Sequence, residues 1–166
     1  MPLLDLRAAS AGCGDGPRSA SPLLLANVGL ARSVTTAGVS GKALAEARRK
    51  HHRPNLSFVK APAKRLHLEG ARFDHVILFF CFAHLSSKAM ALREARRVLT
   101  PHGMLLIAYD MGRRQMDSIQ SDAGQPVDLH HLAPAEDFGN LARSEGFETL
   151  LFWDEEEHYA VLARKL

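Results

Sequence analysis

Three groups of residues in this sequence are of types that could do chemistry. Gly12-Cys13-Gly14-Asp15-Gly16 is a glycine loop of the kind that lets a backbone approach a ligand closely, with Asp15 available for a polar contact. His84 follows the apolar run from Val76 to Phe82, and an unperturbed histidine titrates near neutral pH, so it could orient a substrate or take its proton. Tyr109 and Asp110 end a second apolar run, where they could touch a substrate. Each group has a plainer reading: a flexible glycine-rich connection, a histidine packed for structure, a solvated strand end. Asp128, His130 and His131 invite a metal reading, but adjacent histidines without a third ligand at a recognised spacing do not make a site. Cys81, inside Phe79-Phe80-Cys81-Phe82, reads as a small buried hydrophobe.

The elements that must position these residues centre on Phe73 to Asp110, which reads strand, helix, strand. Val76 to Phe82 is too continuously apolar for a strand with one wet face, so it belongs at the centre of a parallel sheet covered on both sides. Ligands in such folds lie at the carboxyl ends of the strands, where Ala83, His84 and Asp110 fall. Ser86 or Ser87 caps the intervening helix, with Leu92, Ala95 and Leu99 at helical spacing, and Thr100-Pro101-His102-Gly103 stops it before the strand Met104 to Tyr109. Upstream, Ser40 caps a helix over Gly41 to Lys50, and Leu56 to Lys60 is a strand. Downstream, Pro134 opens a helix that Gly146 closes. Glu148 to Trp153 and His158 to Arg164 are too close together for a parallel crossover and predict an antiparallel hairpin, with Asp154 to Glu157 as a solvated tip.

The amino-terminal part is less regular. Residues 2 to 6 read as a short buried strand, Arg7 to Ala11 as an awkward interval before the glycines, and 17 to 37 as a stretch broken by Pro17 and Pro22, with Arg32 to Ala37 a weak strand. Residues 112 to 133 are polar and aperiodic, and longer than an ordinary loop, which suggests a lid or a flexible segment.

Length and composition bound the class. At 166 residues, with 46% hydrophobic and 23% charged residues, the chain predicts one soluble domain over 1–166, with 1–39 its divergent part. The net charge of +3 is spread along the chain apart from Arg48-Arg49-Lys50 and Arg113-Arg114, so no nucleic-acid footprint is expected. Two unpaired-looking cysteines and no signal-like leader predict a cytoplasmic protein, and no apolar run approaches the length of a membrane span.

Five pieces together resemble class I S-adenosylmethionine-dependent methyltransferases, in particular the small-molecule branch that includes the ubiquinone and menaquinone biosynthesis enzymes. They are GCGDG at 12–16, SGKALAEARRK at 40–50, FDHVILFFCFAHL at 73–85, ALREARRVLTPHGMLLIAYD at 91–110, and the closing GFETLLFW and HYAVLARK. The resemblance implies a Rossmann-like α/β fold, a mostly parallel sheet with helices on both faces and a carboxyl-terminal antiparallel β-hairpin. It implies S-adenosylmethionine as cofactor and a small-molecule acceptor, with residues 112–133 shaping the acceptor pocket. Cofactor contacts are expected at Gly12, Cys13, Gly14, Asp15 and Gly16, at Gly38 and Val39, and at Phe80, with His84 and Asp110 as the catalytic candidates. The family's ribose-binding acid falls on Gly38 and its adenine-binding acid on Pro62, while Asp5 stands seven residues before Gly12. Two other uses of the fold stay open, an interaction module that has lost the cofactor and a relative that uses it for a transfer other than methylation.

Overall fold

The structure, a computed structural model, describes residues 6–12, 31–109, 111–122 and 134–166. Its frame is a seven-stranded sheet in the order β3-β2-β1-β4-β5-β7-β6. The strands are β1 (Leu6–Gly12), β2 (Ala31–Gly38), β3 (Leu56–Lys60), β4 (Phe73–Phe79), β5 (Leu99–Tyr109), β6 (Phe147–Asp154) and β7 (Tyr159–Lys165). Neighbours from β3 through β5 are parallel, whereas β7 runs antiparallel between β5 and β6. The four helices that can be described are α1 (Gly41–Lys50), α2 (Lys88–Val98), α3 (Arg113–Asp122) and α4 (Ala135–Ser144).

Local chemistry sets the helix ends. Ser40 accepts from the Ala43 N–H at 3.2 Å and Ser87 from the Met90 N–H at 3.3 Å, each satisfying a donor the first turn leaves open. At the far end of α4, Gly146 takes φ +80° and donates to the Arg143 carbonyl, the left-handed cap for which glycine has no steric cost.

Among the described residues the main buried cluster lies on one face of the sheet. Val76, Leu78, Leu105, Ile107, Val161 and Ala163 pack there against Leu92, Ala95 and Val98 of α2 and Phe138 and Ala142 of α4. Each fully buried aliphatic chain here contributes about 1.5 to 3 kcal/mol over its exposed state, which is why an amphipathic α2 holds its place despite five charged residues in eleven. The other face carries α1 against β2 and β3, where the Arg48 guanidinium lies 5.8 Å from the Phe58 ring centre. The expected arrangement, parallel strands with helices on both faces and a closing antiparallel hairpin, is therefore the one observed.

Three local expectations need correction. The strand expected at residues 2–6 is instead β1 at Leu6–Gly12, so Arg7 to Ala11 is the strand and no interval separates it from the first glycine. Pairing with β2 on one side and β4 on the other fixes it there, although its alanines carry no apolar signal. Thr100 to Gly103 does not separate α2 from β5. The strand begins at Leu99, opposite Phe73, and absorbs those residues in a register irregularity with His102 at φ +60°. Residues 113–122, expected as aperiodic lid, form α3; 123–133 lie outside the described residues.

Candidate functional site at the carboxyl ends of the strands

Strand order decides where a ligand would sit. From β1 the chain moves outward through β2 to β3, then returns to place β4 on the other side of β1. The carboxyl ends of β1 and β4 therefore flank the point where strand order reverses, the place where open α/β sheets take their ligands. Gly12 ends β1 directly beside Phe79, the last residue of β4. Gly38, the last residue of β2, lies one position beyond the Ala11–Ala37 pair. Both strands thus end on a glycine.

Phe80 turns the chain away from β4. Its φ of +52° is a left-handed conformation unfavourable for a bulky residue. Its N–H donates to the Ala108 carbonyl at 3.1 Å, and its ring lies 5.2 Å from Phe79 and 5.0 Å from Tyr109. These contacts hold the strained turn in place and leave Phe80 only partly covered.

His84 follows on a single 3-10 turn, Phe82–His84, and is exposed. The turn is fixed through Ala83. Its N–H donates to the Tyr109 hydroxyl at 2.6 Å, and its carbonyl lies 3.5 Å from the Lys88 ammonium, whose pKa burial pushes down. Tyr109, a candidate substrate contact in the sequence, is 3% exposed, and its hydroxyl supports the His84 turn instead. Cys81 is fully buried. Among the other sequence candidates, Val39 is exposed beside Gly38, while Cys13, Gly14, Asp15, Gly16, Asp110, Asp128, His130 and His131 lie outside the described residues.

On the hairpin side, Gly112 donates its N–H to the Glu156 carbonyl at 3.1 Å, and Arg113 grips Asp154 with Nε at 2.6 Å and Nη2 at 2.5 Å. Asp154 is therefore a half-buried ion-pair partner rather than part of a solvated tip; Glu155 to Glu157 are exposed. Burial pushes the neighbouring Tyr159 phenol up, with Asp154 adding to the effect, so it stays a neutral, packed ring at any physiological pH. The Gly112 clamp carries no motif, and only the tertiary contact exposes it.

Gly12 and Gly38 bring backbone without a side chain to this end of the sheet, and the partly exposed Phe80 follows β4 there. The carboxyl ends of β2 and β3 supply no carboxylate: they run Gly38-Val39-Ser40 and Lys60-Ala61-Pro62. β1 runs directly into Gly12 with no acid in it, and Asp5 lies outside the described residues. Among the described residues no cluster of three histidine, cysteine or acidic side chains could hold a metal, and no helix is long and apolar enough to cross a membrane.

Comparison with known proteins agrees with this geometry. A chain of the complex between the Haloferax volcanii Trm112 methyltransferase activator and a methyltransferase superposes with a TM-score of 0.79 at 14% identity, covering 97% of this chain and 83% of that one. An S-adenosylmethionine-dependent methyltransferase from Mesorhizobium loti gives 0.75 at 18% identity, covering 99% and 94%. The 4+2 cyclase SpnF gives 0.74 at 21% identity, covering 96% and 75%. At these identities the likeness establishes the fold. No curated protein matches the sequence. Residues 9–107, from the middle of β1 to within two residues of the end of β5, match the methyltransferase domain family, to which this chain belongs.

Proposed function

We propose that this chain, acting as one domain over residues 1–166, transfers a methyl group from S-adenosylmethionine to a small-molecule acceptor. S-adenosylmethionine is the cofactor of the family; when bound, it supplies an electrophilic methyl and a thioether leaving group. The observation that carries the reading is the junction of β1 with its glycines: β1 runs without interruption into Gly12 at the strand-order reversal, inside the matched residues 9–107.

In this reading Gly12, Cys13, Gly14, Asp15 and Gly16 hold the methionine part. Gly38 and Val39 lie along the ribose, and Phe80 covers an apolar face. The protein's work is mainly alignment: an acceptor oxygen, nitrogen or carbon is held in line with the methyl and water is kept out. Transfer to an acceptor O–H, N–H or C–H would leave that group with a proton to lose. His84, on its braced turn, or Asp110, after β5, takes that proton when the acceptor needs a base. The Gly112 to Ala133 segment shapes the acceptor side.

The absence of carboxylates after β2 and β3 bears on affinity. A hydrogen bond to a charged group contributes about 1.5 to 3 kcal/mol. At about 1.4 kcal/mol per tenfold, each missing contact weakens binding by roughly 10- to 150-fold. A cofactor held mostly by backbone groups should bind in the high micromolar range or weaker. The test is incubation with S-adenosylmethionine labelled in its methyl group and a small-molecule extract. Label entering the small-molecule fraction supports the reading, and label that stays on the cofactor at millimolar concentration contradicts it.

A further inference from the structure

The opposite end of the sheet holds a feature that methyl transfer does not use. The chain leaving α1 runs Arg48-Arg49-Lys50-His51-His52-Arg53 before it turns into β3. A basic last turn is what a helix carboxyl end ordinarily carries, and Arg49 and Lys50 are explained that way, Lys50 being paired with Glu46 at 2.6 Å. Arg48, His51, His52 and Arg53 do something different. They gather around one open cavity of about 600 Å³, completed by Ser57 and Phe58 of β3 and, among the described residues, lined by no carboxylate.

Arg48 is already oriented. Its Nη2 donates to the Phe58 carbonyl at 2.8 Å while its guanidinium lies against the Phe58 ring, so its remaining donors are held without further loss of side-chain freedom. The depression is shallow and open to solvent, and its lining pairs fork-shaped cations with an aromatic surface. Those two features suit an anion attached to an organic group better than a bare ion. The cavity opens at Leu56, where β3 begins, whereas Gly38 and Lys60 mark the other end of the β2–β3 pair. At about 3.3 Å per residue Leu56 stands about 13 Å, and Phe58 about 7 Å, from that other end.

We propose that this cavity binds a phosphorylated small molecule, with Arg48, Arg53, His51 and His52 recognising the phosphate and Phe58 covering the organic part.

Titration of the full-length chain with AMP and with inorganic pyrophosphate, followed through the imidazole resonances of His51 and His52, tests this. Saturable shifts at or below low-millimolar ligand are expected with both probes, tighter with AMP. Arg53→Ser combined with His52→Ser should weaken binding at least tenfold while leaving S-adenosylhomocysteine binding and the melting temperature unchanged, because both side chains are exposed. Three results would overturn the proposal: no saturation by either probe at millimolar concentration, equal binding by the double variant, or binding confined to a nucleic-acid duplex with a steep salt dependence.

Discussion

Replacing Gly112 by alanine should destabilise the protein out of proportion to one methyl group. Gly112 lies where the chain leaves β5, against the tip of the β6–β7 hairpin. A Cβ built there would lie 2.1 Å from the Glu155 carbonyl oxygen and 2.6 Å from that of Glu156. Ordinary contact begins near 3.4 Å, so the hairpin or the start of α3 must move by more than about 1 Å. Both obstacles are backbone atoms, and no side-chain rotation relieves them. Overpacking of this kind costs about 1 to 3 kcal/mol. The movement also stretches the Gly112 to Glu156 hydrogen bond, worth about 1 kcal/mol. A total of about 2 to 4 kcal/mol, at about 2 to 4 °C per kcal/mol for a chain of this size, lowers Tm by about 4 to 16 °C. Gly139 supplies the control. It lies within α4 with nothing inside 4 Å of a built Cβ, so Gly139→Ala should raise stability by about 0.5 to 1 kcal/mol through helix propensity alone. Thermal melts followed by circular dichroism would measure both. A Gly112→Ala protein melting within 1 °C of the parent would refute the claimed clamp between α3 and the hairpin.

Other perturbations follow from the same contacts. Tyr109→Phe leaves the buried Ala83 N–H without its 2.6 Å acceptor and should cost about 1 to 3 kcal/mol in urea unfolding; a cost below about 0.3 kcal/mol would mean the hydroxyl does not brace the His84 turn. The Glu94 carboxylate accepts from Arg97 and from the Leu66 N–H at 2.7 Å, and the Arg97 hydrogen bond first, then the backbone one, holds its pKa below the ordinary glutamate range against an opposing desolvation. A lowered folded pKa means stabilisation present above about pH 4.3 and lost as the pH falls through the folded value. Glu94→Gln should therefore cost about 1 kcal/mol at pH 7, with the gap to the parent closing in melts taken below pH 4. Gly38→Asp and Pro62→Asp each place a carboxylate at the ends of β2 and β3 and should tighten S-adenosylhomocysteine binding by about tenfold or more; no change in either would mean the nucleoside lies elsewhere.

How much of this the sequence could disclose depended on where a residue's position is decided. The β4–α2–β5 unit was legible because the apolar run from Val76 demands burial on both faces, although the strand ends at Phe79 and Phe80 to Phe82 turn out of it, and because Ser87 and the Leu92, Ala95 spacing define a capped amphipathic helix. The hairpin was legible because two apolar runs four residues apart have few ways to pair. β1 was not, since Arg7, Ser10 and three alanines show no period; its neighbours β2 and β4 specify it, and residues 2 to 6 looked more strand-like in isolation. β5 begins earlier than Thr-Pro-His-Gly suggests because Leu99 finds a partner in Phe73 across the sheet. In the candidate site, Gly12, Gly38 and Phe80 share one end of the sheet as expected. The bracing of His84 by Tyr109 and the Gly112 and Arg113 contacts join residues 26 and more than 40 positions apart, and such pairs leave no trace in local pattern.

Calorimetric titration of the intact chain with S-adenosylhomocysteine tests the central claim most directly, because it asks whether the site at Gly12, Gly38 and Phe80 takes the nucleoside at all and needs no acceptor. Saturable one-to-one binding in the high micromolar range, tightened by Gly38→Asp, is the result expected of a site held by backbone groups without carboxylates. Absence of heat up to several millimolar ligand, from a chain that melts cooperatively, would contradict it.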